Sequence, residues 1–139
     1  MNEKQARGSG YNIAVMVEDT DASYDLVRRL LSEVAPPVYV NRAKNVEALD
    51  LLLEKLKSHG TTPSVFIVDV SINEDTDGIV LIDRLHTNYP EVPIIAYSKF
   101  PQYENETLAS GAGWFVHKFT EKAPSRLAEI VQKIVREDS

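Results

Sequence analysis

The sequence predicts an α/β fold in which five βα units build a doubly wound, five-stranded parallel sheet. Short apolar runs of strand length alternate along the chain with apolar stripes at helical spacing. The runs are continuously apolar, which is typical of strands that helices cover on both faces. A chain of 139 residues, 43% hydrophobic and 26% charged, also suits one globular domain. These observations together favour a sheet packed between two helical layers.

The predicted strands are five apolar runs that turn residues separate. They cover Asn12 to Val17, Val38 to Val40, Ser64 to Val70, Pro93 to Ser98 and a brief last run from Trp114 to Val116. β-branched and aromatic residues are frequent in these runs, as expected of strands. Gly111 and Gly113 supply the turn before the last run.

Apolar stripes at spacings of three and four residues predict the helices. The clear stripes lie within residues 27–34, 49–56, 79–85 and 127–134. A weaker fourth helix is predicted around Tyr103 to Ala109, after Pro101. The last helix is predicted from Pro124 to about Arg136, because proline is tolerated in the first turn of a helix. Each predicted helix follows a predicted strand.

Charge and composition exclude several classes of function. A formal charge of −6 argues against direct binding to nucleic acid or to anionic membranes. No apolar run approaches the roughly 20 residues of a membrane helix. Residues 1–10 lack the apolar core of a signal peptide and the chain has no cysteine, so we expect a cytoplasmic protein. We also expect residues 1–10 to form a flexible tail and residues 11–139 to form the domain.

Charged and hydroxyl side chains stand where the predicted strands end. Glu18 and Asp19 follow the first strand, Asp69 lies near the end of the third, Ser98 ends the fourth and Lys118 follows the fifth. The carboxyl ends of parallel strands meet at one edge of a sheet, so these side chains should converge. Neighbouring carboxylates repel one another unless a cation binds among them, and oxygen ligands favour Mg²⁺. With an amine and a hydroxyl alongside, the sequence predicts a Mg²⁺-dependent phosphoryl site.

The chain resembles the receiver domain of two-component response regulators over roughly residues 11 to 137. The resemblance is carried by Glu18 and Asp19 after NIAVMV, Asp69 in VFIVDV, Asp77 with Gly78, Ser98 in PIIAYS and Lys118 in GAGWFVHK. It implies a flavodoxin-like fold with strand order 2-1-3-4-5. It also implies a stand-alone response regulator that is not an enzyme, apart from Mg²⁺-dependent phosphorylation and dephosphorylation of its own aspartate.

The resemblance assigns the phosphoacceptor and the metal ligands. Asp69 would attack phosphorus in line and become an acyl phosphate, which is nucleophilic catalysis by a carboxylate. Mg²⁺ would be bound by Asp19, Asp69 and the backbone carbonyl of Ser71. Glu18 would take part in the metal site closely or through a water molecule.

The resemblance also assigns the phosphoryl-binding groups, the switch and the partners. Lys118 would neutralise one phosphoryl oxygen and Ser98 would donate a hydrogen bond to another. Movement of Ser98, coupled to the ring of Phe115, would change the face formed by helix four, strand five and helix five. The implied partners are a histidine kinase or phosphotransfer protein as donor and a downstream protein, with a homodimer as one further form.

Several residues depart from the common receiver pattern and keep a second hypothesis open. Glu18 stands where aspartate is commoner, Lys99 follows Ser98 where a small residue is usual, and Phe119 replaces a proline after Lys118. The alternative is a pseudo-receiver that dimerises or docks without phosphorylation. A third hypothesis, a Mg²⁺-dependent phosphatase or nuclease, needs a second aspartate two residues after Asp69, where the chain has Ser71.

Overall fold

A parallel sheet of five strands lies at the centre of the structure, a computed structural model that describes residues 12–70, 77–118 and 120–137. The strands are β1 (Asn12–Val17), β2 (Val38–Ala43), β3 (Val65–Asp69), β4 (Ile94–Ser98) and β5 (Trp114–His117). Their order in the sheet is β2-β1-β3-β4-β5, and every neighbouring pair is parallel. The predicted fold class and strand order are therefore confirmed. The predicted tail, residues 1–10, lies outside the described residues.

A helix follows each strand within the described ranges. These helices are α1 (Asp21–Ser32), α2 (Val46–Ser58), α3 (Gly78–Asn88), α4 (Glu104–Ser110) and α5 (Ala123–Glu137). The weak fourth helix of the sequence analysis is a short 3₁₀ turn at Pro101–Tyr103 that continues into α4. In the part of the chain described, no helix has the length and apolar character needed to cross a membrane.

Two apolar cores, one on each face of the sheet, explain why the strands are continuously apolar. Along β3, Val65 and Ile67 face a core shared with α1 and α5, whereas Phe66 and Val68 face a core shared with α2 and α3. Successive residues of a strand point to opposite faces, so both sets must be apolar. The carboxyl ends of the strands are left as the edge where polar side chains gather.

The second strand extends three residues further than its apolar run predicts. Its pairing with β1 continues through Asn41, Arg42 and Ala43, which lie opposite Val15, Met16 and Val17. The polar side chains of Asn41 and Arg42 interrupt the apolar pattern, so the sequence pattern does not predict this half of the strand. The carbonyl oxygen of Ala43 accepts a hydrogen bond from the backbone N–H of Glu18 at 3.0 Å. The end of β2 therefore contacts the turn that follows β1.

Asn45 provides a local test of this architecture, since it caps α2. Its side-chain oxygen accepts a hydrogen bond from the backbone N–H of Ala48 at 2.8 Å. Asn45→Ala is expected to lower the free energy of unfolding by about 1 kcal/mol, measured by urea denaturation. Asn105→Ala, at an exposed position inside α4, is the control and should cause no loss. Equal effects of the two substitutions would contradict the capping role.

Candidate functional site

Three carboxylates converge at the carboxyl ends of β1 and β3. One oxygen from each of Glu18, Asp19 and Asp69 lies within 4.8 Å of the other two. The side chains of Glu18 and Asp69 are buried, whereas Asp19 is exposed. The cluster is therefore buried on the side of Glu18 and Asp69 and open to solvent on the side of Asp19.

Lys118 places its ammonium between the two buried carboxylates. Its Nζ lies 2.5 Å from Oε1 of Glu18 and 3.2 Å from Oδ2 of Asp69, and its side chain is only 9% exposed. The backbone N–H of Lys118 donates a hydrogen bond to the carbonyl oxygen of Ser98 at 2.7 Å. The end of β4 therefore holds the backbone of Lys118 in place. Lys118 thus serves as an internal counter-ion of the acidic cluster.

Glu18 is held at both carboxylate oxygens. Oε1 accepts a hydrogen bond from the ammonium of Lys118, and Oε2 accepts one from the backbone N–H of Thr20 at 3.2 Å. Burial and the proximity of Asp69 raise the pKa of Glu18 to about 7, although Lys118 opposes this rise. Burial lowers the pKa of Lys118, but its hydrogen bond to Glu18 and the charge of Asp69 outweigh burial and raise it overall. The lysine is therefore held as a cation.

The residues present fit a divalent cation. The cluster has three carboxylates, and the Lys118 ammonium contacts two of them, so an excess of negative charge remains when all three are ionised. Burial and the neighbouring Asp69 raise the pKa of Glu18, so a further cation beside it would favour its ionised form. Hard oxygen donors of this kind suit Mg²⁺ or Mn²⁺ better than softer ligand sets do. The further expected ligand, the carbonyl of Ser71, lies outside the described residues.

Ser98 and Phe115 lie on the neighbouring strands. Asp69 pairs with Tyr97, so Ser98 stands one residue beyond it at the same edge. Ser98 is fully buried, and its Oγ accepts a hydrogen bond from the backbone N–H of Phe100 at 3.0 Å. Phe115 is 9% exposed and packs with Ala96, which shares a sheet face with Ser98 because strand side chains alternate. The expected switch pair therefore occupies one face of adjacent strands.

The sequence analysis missed several contacts around the site. His117 Nε2 lies 3.2 Å from the carbonyl oxygen of Lys99, which joins the end of β5 to the segment after β4. The Lys99 side chain is exposed, and its Nζ lies 5.3 Å from the ring centre of Phe100. The register of parallel strands could have indicated the first contact, because His117 pairs with Ser98. Phe119, the other departure at this edge, lies outside the described residues.

Comparison with known proteins assigns the chain to a family. The sequence model described as "Response regulator receiver domain" matches residues 14–132. The chain belongs to the response regulator receiver family. In this receiver domain the matched residues include all the acidic, hydroxyl and lysine positions described above. No curated protein matches the chain in sequence.

Solved structures of response regulators share the fold. A response regulator from Thermotoga maritima is 20% identical, with a TM-score of 0.73 over 91% of this chain and 98% of that chain. A receiver protein from Pseudoalteromonas atlantica is 18% identical, with a TM-score of 0.74 over 91% and 99%. The Mn²⁺-bound form of the response regulator Rcp1 is 15% identical, with a TM-score of 0.69 over 88% and 91%. At these identities the likeness establishes the fold.

Proposed function

We propose that this receiver domain is a phosphorylation switch that accepts a phosphoryl group on Asp69 from a histidine kinase or a phosphotransfer protein. The observation that carries the proposal is the position of Asp69 at the end of β3, with the Lys118 ammonium 3.2 Å from its Oδ2. Asp19 adds a solvent-facing carboxylate beside it. A nucleophilic carboxylate, a fixed ammonium and a buried hydroxyl at one sheet edge are the groups that phosphoryl transfer requires.

The proposed transfer has two steps. An oxygen of Asp69 attacks the phosphorus of a phosphohistidine, the P–N bond breaks, and the departing histidine nitrogen takes up a proton. Water later attacks the acyl phosphate, which releases inorganic phosphate and restores the carboxylate. Lys118 would neutralise a phosphoryl oxygen, and the Ser98 hydroxyl, whose Oγ is the acceptor in its hydrogen bond with the Phe100 N–H, would donate its proton to another.

We propose Mg²⁺ as the cation that supports this transfer. Asp19 and Asp69 would bind it, with the carbonyl of Ser71 as a further ligand and Glu18 beside them. When bound, the cation would offset the negative charge of the phosphoryl group. The Mn²⁺-bound form of Rcp1 supports the choice of a divalent cation and makes manganese a useful second probe.

We propose that the switch reaches partners through α4, β5 and α5. If the Ser98 hydroxyl turns to a phosphoryl oxygen, its hydrogen bond with the Phe100 N–H is lost, and the segment between β4 and α4 is released. Phe115, which belongs to the apolar core on the same side of the sheet as Ala96, would follow the hydroxyl. A downstream protein or a second copy of the chain would bind the altered face. The proposal places the chain in the cytoplasm, where ATP supports histidine phosphorylation.

Intact-mass spectrometry after incubation with acetyl phosphate tests the proposal. We expect the wild type to gain one phosphoryl group only when Mg²⁺ is present. Asp69→Asn should gain none, because an amide is a poor nucleophile. Asp83→Asn, the same change at an exposed position of α3, is the matched control and should behave as the wild type does.

Two outcomes would overturn the proposal. A phosphoryl group that persists in Asp69→Asn would place the acceptor elsewhere. A folded wild type that gains no phosphoryl group from acetyl phosphate or from a phosphorylated histidine phosphotransfer protein would favour the phosphorylation-independent pseudo-receiver.

A further inference from the structure

We propose that Arg42 is a positioning residue that holds the β1–α1 turn, residues 18–20, in the geometry needed for divalent-cation binding. Arg42 lies near the end of β2 and is no part of the acidic cluster itself. The inference rests on the proposed function, because the cation site it concerns is the one used for phosphoryl transfer.

Arg42 contacts the first turn of α1 in two ways. Its Nη1 lies 2.8 Å from Oδ1 of Asp21 and forms an ion pair with it. Its guanidinium carbon lies 4.6 Å from the ring centre of Tyr24. The Arg42 side chain is 14% exposed, so most of it is buried between strand and helix.

β2 contacts the β1–α1 turn and the helix that follows it at two points, in addition to the contact of Lys118 with Glu18. Thr20, which precedes α1, makes no side-chain capping hydrogen bond to the helix. On the strand side, the backbone N–H of Glu18 donates to the carbonyl of Ala43 at 3.0 Å. On the helix side, the anchor is the pair of Arg42 and Asp21. The end of β2 therefore contacts the chain on both sides of Asp19, through Ala43 at Glu18 and through Arg42 at Asp21.

Positioning and simple charge make opposite predictions for Arg42. A cation near the acidic cluster repels Mg²⁺, so removal of Arg42 would tighten Mg²⁺ binding if charge alone mattered. If charge alone mattered, removal of the partner carboxylate, Asp21, would weaken Mg²⁺ binding. If the pair acts by holding the turn, loss of either residue weakens Mg²⁺ binding. The sign of the Arg42 effect therefore separates the two explanations.

Isothermal titration calorimetry with Mg²⁺ tests the proposal on the wild type, Arg42→Met, Asp21→Asn and the double variant. We expect each single substitution to weaken Mg²⁺ binding about tenfold, as loss of groups that orient metal ligands does elsewhere. The Mg²⁺ affinity of the double variant should be no lower than that of the single variant with the lower affinity, because both substitutions break the same contact. Lys44→Met is the matched control. Lys44 is exposed and lies 3.9 Å from the same Asp21 oxygen, so its removal should leave binding unchanged or slightly tighter.

A second readout distinguishes positioning from general loss of structure. Because Arg42 acts through the cation site, Arg42→Met should need about tenfold more Mg²⁺ for half-maximal phosphorylation by acetyl phosphate. Its rate at saturating Mg²⁺ should match that of the wild type. Arg42→Met that binds Mg²⁺ as tightly as the wild type, or more tightly, would overturn the inference. A wild type that binds no Mg²⁺ would instead contradict the proposed function.

Discussion

Lys118→Met is expected to lower the free energy of unfolding of the metal-free protein by about 3 kcal/mol at pH 8, measured by urea denaturation. The substitution removes the ammonium that lies 2.5 Å from Glu18 and 3.2 Å from Asp69. Methionine occupies a similar volume, but it supplies no charge. Burial of a carboxylate is costly when its counter-ion is removed, and Glu18 is fully buried.

The same substitution should be less damaging at about pH 5.5. The pKa of Glu18 is raised from 4.5 to about 7 in the folded protein, so Glu18 is largely protonated at the lower pH. Between these two pKa values the folded state binds more protons than the unfolded state, so the stability of the metal-free wild type falls as pH rises from about 5 to 8. Lys118 lowers the pKa of Glu18, and its loss should therefore steepen this fall.

Lys133→Met is the matched control, since Lys133 is exposed on α5. We expect its effect to stay within about 0.5 kcal/mol at both pH values. Saturating Mg²⁺ should recover part of the stability that Lys118→Met loses, because the bound cation takes over as counter-ion. If Lys118→Met were as stable as Lys133→Met at pH 8, the lysine would not be the counter-ion of the buried carboxylates.

The fold was largely predictable because its three central strands are mostly buried on both faces. β1 begins and ends at the predicted residues, and the helical stripes fall on the helices that cover the sheet. The second half of β2 was not predictable from its own residues. Asn41 and Arg42 are polar, and Arg42 is accommodated by Asp21 and Tyr24, which lie about twenty residues earlier in the chain. A local pattern carries no signal for such a contact.

The site could be predicted as a set of residues but not as a set of contacts. The strand ends indicate which side chains converge, and the structure does bring Glu18, Asp19 and Asp69 together. The pairing of Lys118 with Glu18 joins residues 100 positions apart. This pairing depends on the length of the glutamate side chain at position 18, where the family more often has aspartate. Such distances are set by packing rather than by sequence spacing.

Gly78→Ala is expected to lower the free energy of unfolding by about 2 kcal/mol and to slow the phosphorylation of Asp69. A Cβ at position 78 would stand 2.4 Å from the carbonyl oxygen of Val70 and 2.6 Å from its Cα. These are backbone atoms, so either β3 or the start of α3 must move. The better helix propensity of alanine offsets at most about 1 kcal/mol of this cost.

The movement should reach the phosphoacceptor because Val70 directly follows Asp69 in the chain. The Asp77 side chain accepts hydrogen bonds from the backbone N–H groups of Ile79 at 2.9 Å and Val80 at 3.2 Å. The buried residues Leu81, Ile82 and Leu85 hold α3 against the sheet, so part of the strain falls on Val70. We therefore expect a lower phosphorylation rate with acetyl phosphate even at saturating Mg²⁺, measured by intact-mass spectrometry over time.

Gly113→Ala is the control for this substitution, because among the described residues a Cβ there meets nothing closer than the carbonyl oxygen of Ile94 at 3.9 Å. Its stability should change by less than about 0.5 kcal/mol, and its phosphorylation rate should match that of the wild type. A destabilised Gly78→Ala with an unchanged rate would mean that α3 moves alone. Position 78 would then support the fold without controlling where Asp69 lies. The close contact with Val70 would then have no effect on the phosphorylation rate.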